Sequence, residues 1–156
     1  NFQSLEELTS SLHISNLERA AFTDAFGFER RVGVSAQYKG DAVLVQMGPL
    51  DYPDLVAEVA DLFVRSRGQS WCLCGGTYDG VLRLSVRTEE VTSQAGQLAQ
   101  ALVRSRGGSA GGHGMTAGGR IPLDEGEDPG ALWEAIAGEF IRLLGQPAES
   151  VPLCGE

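Results

Sequence analysis

The chain has 156 residues, 42% of them hydrophobic, which is enough to bury one core. Its formal net charge of −9 argues against general binding to a long polyanion, which needs a basic surface. No apolar run approaches the roughly 20 residues of a membrane span and no signal-peptide pattern opens the chain, so a cytoplasmic globular domain is expected.

The chain opens on Asn1 rather than Met and is read as a fragment. Ser4-Leu5-Glu6-Glu7 forms a capping box for a short helix ending near Leu12. A second helix carries Leu17, Ala20, Ala21 and Ala25 at helical spacing and stops near Gly27. Residues 1–30 are therefore set apart as an N-terminal helical extension or linker, with an integral packing layer as the other reading. Residues 31–147 form the expected α/β domain, and 148–156 an extended tail.

Alternation at Val32, Val34, Ala36 and Tyr38 predicts a strand, and a Lys39-Gly40-Asp41 turn leads to a second over 42–47. Tyr52-Pro53-Asp54 opens an amphipathic helix with Leu55, Val56, Val59, Leu62 and Phe63 on one face, closing near Gly68. Strands over 70–78 and 81–88 flank Asp79-Gly80, the dipeptide of a type I′ hairpin turn. In the second strand Val81, Arg83, Ser85 and Arg87 share a polar face, either a binding surface or an ordinary solvated one. Thr92 or Ser93 caps a helix with Ala95, Leu98, Ala99, Leu102 and Val103 inward. A short strand over 120–123 follows, and Asp128-Pro129 starts a last helix closed by Gly145. The order implies an α/β domain with a mixed sheet of about five strands flanked by helices.

Residues 107–119 contain seven glycines and one histidine, His113. Glycine loses the most backbone entropy on ordering, so such a run suits a backbone that approaches a ligand closely, or else a flexible linker. The span from Arg83 to Arg120 carries +3 while the remainder carries −12, so the glycine run lies in a locally basic segment. Exposed N–H groups and a histidine there suit an anion.

The run lacks the lysine of a phosphate P-loop and follows a helix, whereas Rossmann glycines follow a strand. No G-x-S-x-G elbow is present, and His13 reads as a surface residue. Cys72-x-Cys74 and Cys154 complete no metal set and read as buried thiols of a reducing compartment. No metal site is expected in this chain.

The segment Gly111-Gly112-His113-Gly114-Met115-Thr116-Ala117-Gly118-Gly119 resembles the G-G-H-x-x-A-[AG]-G signature of the DHH-associated C-terminal domain of DHH-family phosphoesterases. The hairpin ending Leu84-Ser85-Val86-Arg87 resembles that domain's serine-arginine strand, and the likeness spans roughly 42–123. Ala110 and Gly114 depart from the family's usual glycine and proline. The resemblance implies that His113, Gly111, Gly112, Gly114, Arg87, Ser85 and Thr116 bind a phosphate or terminal nucleotide. The implied ligand is a short oligonucleotide, dinucleotide or related phosphate ester. Catalysis, with manganese, would belong to an N-terminal DHH domain of the full-length protein that nothing in this chain matches. The chain alone is then expected to be inactive, with no cofactor of its own and no membrane partner, and a homodimer is among the expected assemblies. A nucleotide- or phosphate-metabolite-binding module without catalysis is the alternative, and a purely structural glycine run a third reading.

Overall fold

The computed structural model describes residues 35–39, 42–64, 70–91, 94–145 and 151–152. The two helices expected in 1–30, His13, Gly68, Thr92, Ser93 and Cys154 lie outside the described residues. In chain order the described elements are β1 (Ser35–Lys39), β2 (Ala42–Pro49), α1 (Leu55–Phe63), β3 (Trp71–Tyr78) and β4 (Val81–Thr88). Then come α2 (Ala95–Val103), β5 (Ser109–His113), β6 (Thr116–Pro122), α3 (Pro129–Leu144) and β7 (Val151–Pro152).

The strands form one mixed sheet in the order β5-β6-β4-β3-β2-β1-β7. Only β2 and β3 pair in parallel, with α1 as the crossover between them; every other neighbouring pair is antiparallel. The five expected strands are β1–β4 and β6, and β5 and β7 extend the sheet at its two edges. The β3–β4 hairpin turns at Asp79 (φ 51°) and Gly80 (φ 73°), both left-handed as a type I′ turn requires.

Because side chains alternate along each strand, the register divides the sheet into two faces. Leu44, Leu73, Val86 and Leu84 lie on one of them, beneath α2 and α3, whose Leu102, Ile136 and Phe140 complete a fully buried core. Trp71 meets Phe140 edge-on with ring centroids 6.2 Å apart, and its indole N–H donates to Glu90 at 2.6 Å. Trp133 lies over Gly75 so closely that a Cβ there would be 2.4 Å from the indole. Asp128 caps α3 by accepting from the Gly130 N–H at 3.0 Å, with Pro129 following it, and Gly145 closes the helix.

The opposite face carries Val43, Val45, Met47, Cys72 and Cys74, all buried. Helix α1 packs on this face against β3 and β4, burying Val56, Val59, Ala60 and Phe63. Nine residues of helix cannot cover seven strands. Among the described residues the outer part of this face, on β4, β6 and β5, is left uncovered beside α1.

The glycine run is not the loop expected from its composition. It forms β5, a two-residue turn and the first half of β6, so the strand expected at 120–123 begins at Thr116 and ends at Pro122. The hairpin is fixed from both sides: the Ala95 N–H donates to the Gly114 carbonyl at 2.9 Å and the Thr88 N–H to the Met115 carbonyl at 3.0 Å. Gly114 takes φ 55° at the first turn position, a left-handed conformation that glycine supplies without steric cost.

Candidate functional site

The register of the three outer strands places residues of widely separated sequence in rows across the uncovered face. Arg87 stands opposite Thr116, and Thr116 opposite His113. The next row is Ser85, Gly118 and Gly111, and the third is Arg83, Arg120 and Ser109. With α1 (Val56 and Ala57) and the turn just before it (Pro53 and Asp54) as its other wall, this surface forms a cleft of about 530 Å³.

The floor of the cleft is glycine. A Cβ added at Gly111 would meet nothing within 4 Å, and one at Gly118 only the Leu84 carbonyl at 3.7 Å, so both positions open directly into the cleft. Gly112 and Gly119 face the other way. A Cβ at Gly112 would sit 2.3 Å from the Thr116 carbonyl, and one at Gly119 3.3 Å from Val103. Alternate glycines of one run thus do different work: one set leaves space for a ligand, the other lets the strands and α2 close up.

Arg87 is the most tightly held side chain in the cleft. Its Nε donates to Asp61 of α1 at 2.6 Å, and Nη1 donates to the carbonyls of Val86 at 3.0 Å and Ala117 at 3.1 Å. These bonds fix the guanidinium plane and leave Nη2 without a partner among the described residues. Asp61 is 56% exposed and Arg87 13%, so this ion pair orients the arginine more than it stabilises the fold. Ser85 is 2% exposed at the cleft floor, and Thr116 lies across the ladder from Arg87.

Of the residues expected to bind, Arg87, Ser85, Thr116, Gly111 and Gly112 line this cleft. His113 ends the Arg87–Thr116 row but does not line it. It and Gly114 border a smaller hollow with Gln94, Gly96, Gln97 and Gln100 at the start of α2. His113 is exposed, at the rim between the two depressions. The sequence places Arg83 on one strand face with Ser85 and Arg87, and Arg120 only within a basic segment; that Arg83, Arg120, Ser109 and the α1 wall form one cleft is not legible in it. The two arginines become neighbours only through the β4–β6 register.

Cys72 and Cys74 are buried, free thiols, and Cys74 Sγ lies 3.3 Å from Met47 Sδ. Burial pushes both thiols well up from their ordinary range. Arg87 opposes the rise at both, and the neighbouring Cys72 adds to it at Cys74. They are therefore protonated at neutral pH and are not nucleophiles. Among the described residues no group of three or more His, Cys, Asp or Glu lies together to hold a metal ion, and no helix is long and apolar enough to cross a membrane.

The family model of phosphate-selective porins O and P matches residues 1–69, a segment most of which lies outside the described residues. An uncharacterised protein of Caulobacter vibrioides is 60% identical over 47 residues, 30% of this chain, and the match spans only 10% of that relative's length. Among solved structures, the DHH domain of a protein described as a member of the s1p family of ribosomal proteins is similar in fold. Its TM-score is 0.52 at 16% identity, over 85% of this chain and 31% of that one. The C-Ala domain of Aquifex aeolicus alanyl-tRNA synthetase gives a TM-score of 0.48 at 15% identity, over 70% of this chain and 93% of that one. A pGpG-specific phosphodiesterase of Vibrio cholerae gives 0.42 at 13% identity, over 78% and 41%.

Proposed function

We propose that this chain is the substrate-binding part of a DHH-family phosphoesterase, taking a short oligonucleotide, dinucleotide or related phosphate ester into the cleft beside α1. The observation that carries this reading is the immobilised Arg87, with Nη2 unpartnered among the described residues, beside the Ser85 and Thr116 hydroxyls on a floor of glycine. A guanidinium fixed in orientation before the ligand arrives loses little freedom on binding, and a phosphate offers it charge-assisted acceptors. Glycine at 111 and 118 lets the flat part of a nucleotide lie against the main chain. Among the described residues β5 is an edge strand, so part of its backbone N–H groups have no strand partner there. His113 closes this end of the cleft from the rim, where an imidazole can add a donor to a phosphate oxygen.

The described residues do not fit manganese. In this reading metal chemistry belongs to a DHH domain elsewhere in the full-length protein, and the work of the cleft is to bind, orient and select. The fold likeness to a DHH-domain structure supports the assignment, and the two buried, unpaired thiols are consistent with a reducing, cytoplasmic setting.

Calorimetric titration with the 5′-phosphorylated dinucleotide pApA tests the reading. Arg87→Gln is expected to weaken binding by about 10- to 100-fold, the worth of a charge-assisted hydrogen bond, with no hydrolysis by the chain alone. Equal affinity of Arg87→Gln and the unaltered chain would overturn it.

A further inference from the structure

The cleft has a second end that the Arg87 site does not use. Arg83 on β4 and Arg120 on β6 are direct cross-strand partners, and both line the cleft. Like charges placed opposite each other on adjacent strands destabilise a sheet. Neither arginine has a carboxylate within ion-pairing distance among the described residues, although Asp54, in the turn before α1, lines the same cleft. The Nε of Arg83 is buried and has no hydrogen-bond partner there. A buried, unpaired guanidinium N–H is costly, and a second guanidinium facing it adds to that cost. Ser109, the strand partner of Arg120, adds a hydroxyl to the row.

We infer that Arg83 and Arg120 form a second anion subsite, which binds another phosphate of the same ligand whose first phosphate sits at Arg87. This rests on the reading of the Arg87 end given above and extends it to ligand length. Arg83 and Arg87 are four residues apart on one strand, about 13 Å at the usual rise of a β-strand. Between them lie the small residues Ser85, Gly118 and Gly111, with nothing within 4 Å above Gly111 to obstruct a sugar or base. One phosphate cannot engage both ends. A chain of linked nucleotides can, with its first and third phosphates on the two arginine rows and the two riboses and the phosphate between them over the glycines. The cleft is therefore selective for oligonucleotides over mononucleotides, and the Arg83–Arg120 row is what confers the selectivity.

The test is the affinity of the full chain for AMP, pApA and pApApA at fixed low salt, with three variants. In the unaltered chain pApApA is expected to bind at least about tenfold tighter than AMP, the worth of one added charge-assisted contact. In Arg83→Gln/Arg120→Gln that gain should shrink to less than about threefold. Arg83→Lys/Arg120→Lys should retain much of the gain. The melting temperature of the double glutamine variant should equal or exceed that of the unaltered chain, since a like-charge pair has been removed. If that variant is poorly folded, Arg120→Gln alone, at an exposed position, carries the same comparison. A double variant that keeps the full gain, or loses AMP and pApApA affinity in equal proportion, would overturn the inference. If Arg87→Gln leaves AMP binding unchanged, the Arg87 assignment fails instead, and the two failures are thereby distinguished.

Discussion

Substituting alanine at Gly112 and at Gly111 should have opposite consequences, although the two residues are neighbours. At Gly112 the new Cβ would lie 2.3 Å from the Thr116 carbonyl, 2.5 Å from the Ala117 Cα and 2.6 Å from the Ala117 Cβ. Two of these three atoms are backbone of the paired strand, which can move only by opening the β5–β6 ladder. Overpacking of this kind costs about 1–3 kcal/mol. For a chain of this size each kcal/mol lowers the melting temperature by about 2–4 °C, so Gly112→Ala should melt about 2–12 °C lower. At Gly111 the Cβ meets nothing within 4 Å and φ is not left-handed, so alanine should be neutral or stabilise by up to about 1 kcal/mol. Because it intrudes into the cleft, it should nevertheless weaken pApA binding. Urea unfolding followed by the fluorescence of the buried Trp71 and Trp133 measures stability, and calorimetry measures binding. Gly112→Ala as stable as the unaltered chain, with Gly111→Ala destabilised, would refute the assignment of faces on which the cleft depends.

Asp61→Asn should tighten pApA binding several-fold, because it removes an anion from Arg87 while both carbonyl anchors of Nη1 persist; with Asp61 56% exposed, stability should change by less than about 1 kcal/mol. Weaker binding would show that Asp61 contributes chiefly by orienting the guanidinium. Asp128→Ala should cost about 1 kcal/mol by removing the cap on Gly130, seen as a lower urea midpoint with unchanged pApA affinity. Burial raises the Cys72 and Cys74 thiols, so the folded chain keeps protons that the unfolded chain releases above about pH 8.5. Stability should therefore be at its full value below that pH and decline as pH rises above it, by on the order of 1 kcal/mol per pH unit for each thiol. Urea midpoints across pH 7 to 10 would measure this, and Cys72→Ala/Cys74→Ala should flatten the decline.

Local signals in the sequence carried over well. Asp79-Gly80 turns as its chemistry demands, Asp128-Pro129 starts α3, and the apolar spacing of α1, α2 and α3 matches the faces they bury. The grouping of Ser85, Arg87, Thr116 and Gly111 was also readable, through a resemblance in motif. The glycine hairpin was not, for a physical reason: a strand announces itself by alternating side chains, and Gly111-Gly112 has none to alternate. Its register comes from the ladder with β6 and from main-chain bonds such as Ala95 to Gly114, none of which leaves a trace in local composition. The Arg83–Arg120 pair was hidden for the same reason, since 37 positions separate residues that only register brings together. The α1 wall is a consequence of the parallel β2–β3 crossover, and it places Asp61 on Arg87 across 26 residues of chain.

A phosphate-bearing ligand is expected to bind on the face that the described residues leave bare beside α1. An NMR titration of the labelled chain with pApApA tests it most directly. The amide resonances of Arg87, Ser85, Thr116, Gly111 and Gly118 should shift together and saturate at one concentration, while those of Ile136 and Phe140, buried beneath the opposite face, remain in place. Saturable shifts confined to α3 or to the β1–β7 edge, with the glycine floor unmoved, would contradict it.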